Sequence, residues 1–169
     1  QLGYTTTMVD NMPSDGDRAH DISDDTFYES LQRRITSGEF RAVIAAPPCS
    51  TFSISRFFTA TTAEHGGPPP VRVRAHPHGC PDVASQHRAE LERANVIVAR
   101  TCVLLDLAIQ SGAEFILENP SDRGDSAHPR RFLDADHAPL WLMQEVISLA
   151  KRAGALQATF PMCAFSAPY

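Results

Sequence analysis

The feature that most constrains the fold is an apolar segment that ends at two prolines and a cysteine. Residues 42–46 read Ala-Val-Ile-Ala-Ala, and Pro47, Pro48 and Cys49 follow directly. A short apolar run stopped by turn-forming residues is typical of a buried strand in a parallel sheet. Because open α/β sheets bind ligands at the carboxyl ends of their strands, we expect the Cys49 thiol at a ligand-binding edge.

A second apolar segment ends in the same way, with a carboxylate in place of the thiol. Residues 115–120 read Phe-Ile-Leu-Glu-Asn-Pro. Since the carboxyl ends of parallel strands lie at one edge of a sheet, a nucleophile, Cys49, and an acid, Glu118, indicate one active site. Two alternatives stay open. Cys49 could instead be a small core residue. Glu118 could instead cap the following loop or pair with Arg123.

Helical and strand-like segments alternate along the chain. Apolar periodicity and capping residues predict three helices: one that begins after Ser23 or Asp24 and ends at Gly38, one between Ser85 and Gly112, and one that begins at Pro139 and ends at Gly154. Strands are predicted at residues 4–9, 41–46, 114–118 and 156–160. This alternation favours an α/β fold with a mostly parallel sheet and right-handed crossovers.

A long segment between the first helix-strand unit and the second helix is rich in proline, glycine and histidine. Residues 54–83 contain Gly-Gly-Pro-Pro-Pro and His-Pro-His-Gly-Cys-Pro, which exclude regular structure over most of the segment. A loop of this length inside a domain is usually functional or mobile, so we expect it to border the active site. This part of the chain contains a group of potential metal ligands: His65, His76, His78, Cys80 and His87. Because their spacing matches no common zinc pattern, we expect no metal.

The composition is that of an ordinary globular protein. The 169 residues suffice for one domain with a core, and 43% of them are hydrophobic. The formal net charge of −5 gives no overall attraction to nucleic acid, so the charge that would bind DNA or RNA is expected to be local or to lie on other segments. No apolar run reaches the roughly 20 residues that cross a bilayer. Four cysteines without a Cys-x-x-Cys pair indicate a reducing compartment, nuclear or cytoplasmic.

Two further acids lie where nucleotide-binding α/β folds place theirs. Asp10 follows the first strand-like segment, and Asp21 precedes the first helix. An acid at the first of these positions accepts hydrogen bonds from ribose hydroxyls in such folds. Both acids are also common turn and cap residues, and that alternative stays open.

The motifs resemble those of a known enzyme family. Pro47-Pro48-Cys49-x-x-Phe52-Ser53 resembles the Pro-Cys motif of cytosine-C5 DNA methyltransferases, and Glu118-Asn119-Pro120 resembles their Glu-Asn-Val motif. Asp10 and Asp21-Ile22 fall where the family has its two cofactor-binding acids. The resemblance implies a Rossmann-like, doubly wound, mostly parallel sheet, with S-adenosylmethionine as the cofactor and DNA as the partner.

The resemblance also implies a role for each site residue. Cys49 would add to C6 of a flipped-out cytosine, and Glu118 would hydrogen-bond the base at N3 and at the exocyclic amine. Asp10 would hold the cofactor ribose and Asp21 its adenine. The other residues implied are Pro47 and Pro48 for the cofactor and, for the substrate, Ser50, Phe52, Ser53, Asn119, Arg72 and Arg74.

The chain also departs from the family pattern. Ser50 replaces the usual Gln, Pro120 replaces Val, and residues 54–83 lengthen the interval between the two motifs. The family's Phe-x-Gly-x-Gly and Gln-x-Arg-x-Arg motifs and its target-recognition domain are not found. We therefore expect residues 1–169 to form a single, incomplete catalytic domain, without its N-terminal strand, of a mobile-element or viral type. It would be a piece of a larger polypeptide whose other domains are possible partners.

Three other functions stay open on the sequence. The first is methylation of another nucleobase position, since Pro-Pro followed by an aromatic residue also marks amino-methyltransferases. The second is a degenerate fold kept as a binding or structural module of a larger protein. The third is a metal-binding loop module.

Overall fold

The computed structural model describes residues 3, 5–9, 20–58, 67–124 and 133–160. Within them the chain is a mixed α/β structure with three α-helices and two strands. In chain order these are α1 (Asp25–Thr36), β1 (Ala42–Ala45), α2 (Ser85–Gln110), β2 (Glu114–Leu117) and α3 (Gln144–Ala153). Two short 3-10 helices, Ile54–Phe57 and Leu140–Leu142, lie in the connections.

The two strands pair in parallel along their whole length. Ala42 lies opposite Glu114, and Ala45 lies opposite Leu117. One further backbone bond extends the ladder at its carboxyl end, where the Glu118 amide donates to the Ala45 carbonyl at 2.8 Å. Because the pairing is parallel and in register, Cys49 and Glu118 both follow strands that end at the same edge of the sheet.

The sheet is covered on one face within the described residues. Val43, Ala45, Phe115 and Leu117 pack against the helical core. Ile44 and Ile116 point to the other side and are 72% and 58% exposed. This alternation is the period-2 pattern of a half-buried strand, whereas a doubly wound parallel sheet is covered on both faces.

Helix α2 is the centre of the core. It packs against α1, α3 and both strands. Leu105, which is fully buried, contributes to a cluster with Val146 and Leu149 of α3, and Ala108 to a cluster with Leu31 and Ile35 of α1. Buried residues of α2 contribute to all three hydrophobic clusters, so this helix connects the parts of the core.

Several predicted elements are confirmed. Helix α1 begins after Asp24, whose carboxylate accepts the Phe27 amide at 2.8 Å, and α2 occupies the predicted range. Strands β1 and β2 lie where the apolar segments placed them. Gly154 ends α3 in the left-handed conformation, with φ of 60°, which glycine adopts without steric cost.

Two predicted strands are wrong in the described part of the chain. Residues 5–9 and 156–160 have no strand pairing, and Leu156 is 98% exposed. Both predictions rested on local β-propensity, which does not supply the neighbouring strand that a ladder needs. The helix predicted from Pro139 is also wrong at its start. Residues 140–142 form a 3-10 helix, Met143 is extended, and α3 begins at Gln144.

The long loop is more ordered than its composition predicts. Its described residues, 54–58 and 67–83, include the first 3-10 helix and a small cluster in which Val71 and Val83 pack on Leu91 of α2. Gly67 lies so close to the preceding turn that a Cβ atom on it would be 2.0 Å from the Ser55 carbonyl oxygen. Glycine is therefore required at this close approach of two backbone segments.

No helix among the described residues is long and apolar enough to cross a membrane.

Truncating the central helix tests this description of the core. Leu105 is 0% exposed, so Leu105→Ala is expected to lower the free energy of unfolding by about 2–5 kcal/mol. Val103 lies on the same helix and is 43% exposed, so Val103→Ala is expected to cost about 0.5 kcal/mol or less. Urea denaturation followed by circular dichroism measures both. Equal losses in the two variants would contradict the assigned orientation of α2.

Candidate functional site

The ends of the two strands are joined by a side chain. The Asn119 amide donates from Nδ2 to the Pro47 carbonyl at 2.9 Å, and Asn119 is 8% exposed. Cys49 and Glu118, by contrast, are both exposed. The structure therefore places the predicted nucleophile and the predicted acid on strand ends that are tied together, with both side chains open to solvent.

Cys49 begins a tight turn that returns toward the core. The Phe52 amide donates to the Cys49 carbonyl at 2.9 Å, and the Phe52 ring is buried in the core around α2. The next residue, Ser53, caps the first 3-10 helix through its hydroxyl, which accepts the Ser55 amide. Phe52 thus anchors a surface turn, residues 49–52 (the Cys49 turn), and its ring is not available for stacking on a ligand.

Three basic side chains from separate segments hold the Cys49 turn. Arg56 donates from Nε to the Ser50 carbonyl at 2.6 Å. Arg72 donates from Nε to the Thr51 hydroxyl at 3.1 Å, and its guanidinium lies 4.1 Å from the centre of the Phe52 ring. His137 donates from Nε2 to the Phe52 carbonyl at 2.8 Å. Every residue that follows Cys49 in the turn therefore contacts at least one buried basic group.

Arg56 connects the turn to helix α2. It is 5% exposed and forms an ion pair of 2.6 Å with Glu90. Burial alone would raise the pKa of Glu90, but its hydrogen bonds from Arg56 and from the Ser50 side chain outweigh burial and lower it. The Ser50 hydroxyl, which the resemblance assigns to substrate, is thus bonded to a carboxylate of the protein.

Arg72 and Arg74 are both bonded to other groups of the protein, Arg72 in the interior and Arg74 in a half-buried position. Arg72 is 1% exposed and donates to the Pro77 carbonyl at 2.6 Å. Burial lowers its pKa to about 10, which leaves it charged at neutral pH. Arg74 forms a two-bond ion pair with Asp122, at 2.8 and 2.9 Å. Contact of either arginine with a substrate stays a prediction, and the geometry gives both a supporting role beneath the site.

His137 has both ring nitrogens bonded to backbone. Nδ1 accepts the Arg123 amide at 3.0 Å, so the ring proton is on Nε2, where it is donated to Phe52. The ring is fully buried, with the edge of Phe57 against it at a centroid distance of 5.8 Å. Burial lowers the pKa of His137. No feature of the sequence marked this residue, because its partner Phe52 lies 85 positions away.

A cleft of about 510 Å³ runs along β1 on the amino-terminal side of the Cys49 turn. It is lined by residues 42–46, Pro47 and Pro48, by Asp21 and Val9, and by side chains of α1 and α2. This volume lies within the range of small-molecule sites. The cleft therefore brings together three of the predicted cofactor residues, while the fourth, Asp10, lies outside the described residues. A larger depression of about 660 Å³ on α1 is far from both motifs.

The Asp21 carboxylate is already partly used. Its Oδ1 accepts the Ser23 amide at 2.8 Å and the Ser23 hydroxyl at 2.7 Å, and its Oδ2 accepts Arg93 at 2.6 Å. The hydrogen bond from the Ser23 hydroxyl is the main cause of its lowered pKa. A carboxylate has about four acceptor sites, so one remains for a ligand in the cleft.

The histidine-rich loop does not gather a metal site in the part of the chain that is described. No group of three or more His, Cys, Asp or Glu side chains is close enough there to hold an ion. His78 instead pairs with Glu145 of α3 at 2.9 Å. His65, another member of the predicted group of metal ligands, lies outside the described residues.

No protein-family model matches the chain, and no curated protein or solved structure matches it either.

The bond between the two strand ends can be tested by removing the Asn119 amide. Asn119→Ala leaves the Pro47 carbonyl without its donor, so the free energy of unfolding should fall by about 1–3 kcal/mol. The Glu118 amide, which makes the last bond of the ladder, should then exchange with solvent about tenfold faster. Hydrogen exchange followed by nuclear magnetic resonance measures this amide directly.

Asn95 provides a matched control for Asn119. Its amide also donates to a carbonyl, that of His78 at 2.8 Å, and its Oδ1 likewise lacks a partner among the described residues. Asn95→Ala should lower stability and leave exchange of the Glu118 amide unchanged. Faster exchange at Glu118 in both variants would show that the effect is global and that Asn119 does not tie the strand ends.

Proposed function

We propose that the chain is an S-adenosylmethionine-dependent DNA (cytosine-5-)-methyltransferase-type catalytic domain with a Rossmann-like fold. The observation that carries this proposal is the arrangement of the strand ends. An exposed thiol, Cys49, and an exposed carboxylate, Glu118, follow neighbouring parallel strands, and the 2.9 Å bond from Asn119 to Pro47 ties the strands between them. Addition to a pyrimidine ring needs a nucleophile and a hydrogen-bonding acid on one edge.

Cys49 is the proposed nucleophile. Its thiolate forms a bond to C6 of cytosine, and the electron pair of the C5–C6 double bond moves toward C5. Glu118 bonds N3 and the exocyclic amine, which stabilises the charge that addition places on the ring. When the C5 proton is later lost to water, its electron pair restores the double bond and expels the Cys49 thiolate. When bound, S-adenosylmethionine supplies the methyl group that C5 acquires.

The fixed turn suits Cys49 to this role. The thiol projects from a turn whose three following residues are bonded to Arg56, Arg72 and His137, so little ordering is needed when a base arrives. The target base must leave the duplex because its ring atoms are unreachable in the stack. The proposed partner is therefore DNA with one flipped cytosine. We propose that the chain acts in the nucleus or the cytoplasm. The arginines that hold the turn are bonded within the protein and do not supply an overall basic surface.

The cleft along β1 fits the proposed cofactor. Its volume of about 510 Å³ and its largely apolar lining match a nucleoside-sized ligand, and Pro47 and Pro48 connect it to the Cys49 turn. Asp21, which also lines the cleft, retains one acceptor site after its bonds to Ser23 and Arg93. These residues would hold the adenosine part of S-adenosylmethionine, and we propose that Asp10 binds its ribose.

A second candidate function is a binding or structural module that keeps the fold without catalysis. The net charge of −5 and the bonds that already occupy most of the Asp21 carboxylate favour it. Calorimetric titration with S-adenosylmethionine separates the two. Binding that is weakened in Asp21→Ala supports the enzyme, and no binding to the folded protein supports the module.

Covalent trapping tests the proposed nucleophile. DNA that contains 5-fluorocytosine cannot lose a proton from C5, so the bond between Cys49 and C6 should persist after methyl transfer. The wild-type chain with S-adenosylmethionine is expected to give a denaturation-resistant protein–DNA adduct, and Cys49→Ala none. Gel electrophoresis and mass spectrometry of the adducted peptide measure it. An adduct in Cys49→Ala would contradict the assignment, as would its absence from wild-type protein that binds the cofactor.

Controls for trapping come from the same elements. Cys80 is partly buried and follows neither strand, so Cys80→Ser should form the adduct at the wild-type rate. Glu118→Gln should slow adduct formation by about 100-fold or more. Glu114 lies at the opposite end of the same strand and is also exposed, so Glu114→Gln should not change the rate.

A further inference from the structure

We infer that His137 is a positioning residue for Cys49: its neutral imidazole holds the Phe52 carbonyl and, through Phe52, the turn that carries the thiol. The inference rests on the proposed function, in which Cys49 is the nucleophile. It adds to the site a residue that lies in neither motif. It also makes the site depend on the protonation state of that residue.

Two hydrogen bonds in series connect the imidazole to the Cys49 backbone. His137 donates from Nε2 to the Phe52 carbonyl at 2.8 Å, and the Phe52 amide donates to the Cys49 carbonyl at 2.9 Å. Both His137 and Phe52 are buried, at 0% and 1% exposure, so water cannot replace the first bond. Loss of the bond from His137 would leave the buried Phe52 carbonyl without a hydrogen-bond donor. Because this costs free energy, the turn would move until the carbonyl finds another donor.

The surroundings of the ring require its neutral form. Nδ1 accepts the Arg123 amide, so a second ring proton would point at an N–H donor. Asp122 is 3.8 Å from Nδ1, but both its oxygens are bonded to Arg74. Arg74 also donates to the His137 carbonyl at 3.1 Å, which adds a positive charge beside the ring.

The other groups around the ring do not favour a charged imidazole. Asp134 contacts His137 through its backbone carbonyl, at 3.0 Å, and its side chain accepts the Asp136 amide. The Phe57 ring covers one side, and the Arg72 guanidinium lies on the Phe52 ring. Burial outweighs the attraction of Asp122, and the pKa of His137 is lowered from 6.5.

The direction of the pH dependence follows from this lowered pKa. As the pH falls below about 6.5, the unfolded chain takes up a proton at His137 before the folded chain does. The stability that the neutral ring contributes is complete above that pH and is lost as the pH falls through the folded-state pKa. In the folded protein, protonation displaces the Arg123 amide from Nδ1 and frees the Cys49 turn.

Two substitutions separate the bonds of the ring. A Gln side chain at position 137 places an N–H near the position of Nε2, whereas Asn reaches only to the position of Nδ1 and offers an acceptor there. His137→Gln is therefore expected to keep the bond to Phe52, and exchange of the Phe52 amide should stay within about threefold of wild type. His137→Asn should speed that exchange about tenfold or more and slow trapping of 5-fluorocytosine DNA by a similar factor.

The ratio of trapping rates gives the pH test. The two proteins carry the same thiol and react with the same DNA, so the ratio isolates the effect of the substitution at position 137. The ratio of wild-type rate to His137→Gln rate should fall as the pH is lowered from 6.5 through the lowered pKa of His137. A ratio that does not depend on pH would overturn the inference, as would a folded His137→Asn protein with wild-type exchange at Phe52.

Wild-type protein alone provides a measurement that does not depend on a buried substitution. The ring resonances of His137 report its protonation, and loss of protection at the Phe52 amide should follow with the same midpoint. Different midpoints would overturn the inference even if both variants fail to fold. Wild-type protein could form no adduct while hydrogen exchange of the Phe52 amide still follows protonation of the His137 ring. In that case the proposed function fails, and the coupling of His137 to the turn stands.

Discussion

The hydrogen bond from the Asn119 side chain to the Pro47 carbonyl is the interaction on which the site depends. The ladder between β1 and β2 cannot continue beyond the bond from Glu118 to Ala45, because the next donors in register are Pro47 and Pro120 and proline has no N–H. The Asn119 side chain donates to the Pro47 carbonyl in place of the missing Pro120 N–H and keeps the two strand ends together for one more step. Without it, parallel pairing would bring Cys49 and Glu118 to one edge but would not fix the distance between them.

The second requirement is a turn that holds its shape after the strand has ended. Burying a charged group such as Arg72 carries a desolvation cost of several kcal/mol, and no carboxylate bonds it in the described structure. Its bonds to Thr51 and Pro77 and its position over the Phe52 ring offset part of that cost. In return, Arg72 holds Thr51 and Phe52, and with them the Cys49 turn, against the core.

The elements that depend on patterns of neighbouring residues could be predicted from the sequence. The apolar runs before Pro47 and Glu118, the Asp24 cap and the periodicity of α2 each indicate a local structure, and parallel pairing then predicts that the two motifs meet. What it did not predict depends on distant partners. The strands expected at residues 4–9 and 156–160 have the right propensity and no neighbour among the described residues. His137 bonds a residue 85 positions away, and no local pattern marks such a contact.

The proposed function requires that the two strand ends form a single site for a cytosine base. Titration of isotope-labelled protein with a single-stranded oligonucleotide that contains one cytosine, followed by the amide resonances of Ser50, Phe52, Glu118 and Asn119, tests it most directly. All four resonances should move together and give one dissociation constant, and replacing the cytosine by an abasic site should remove the shifts. Shifts at only one strand end, or different dissociation constants for the two ends, would contradict a single site.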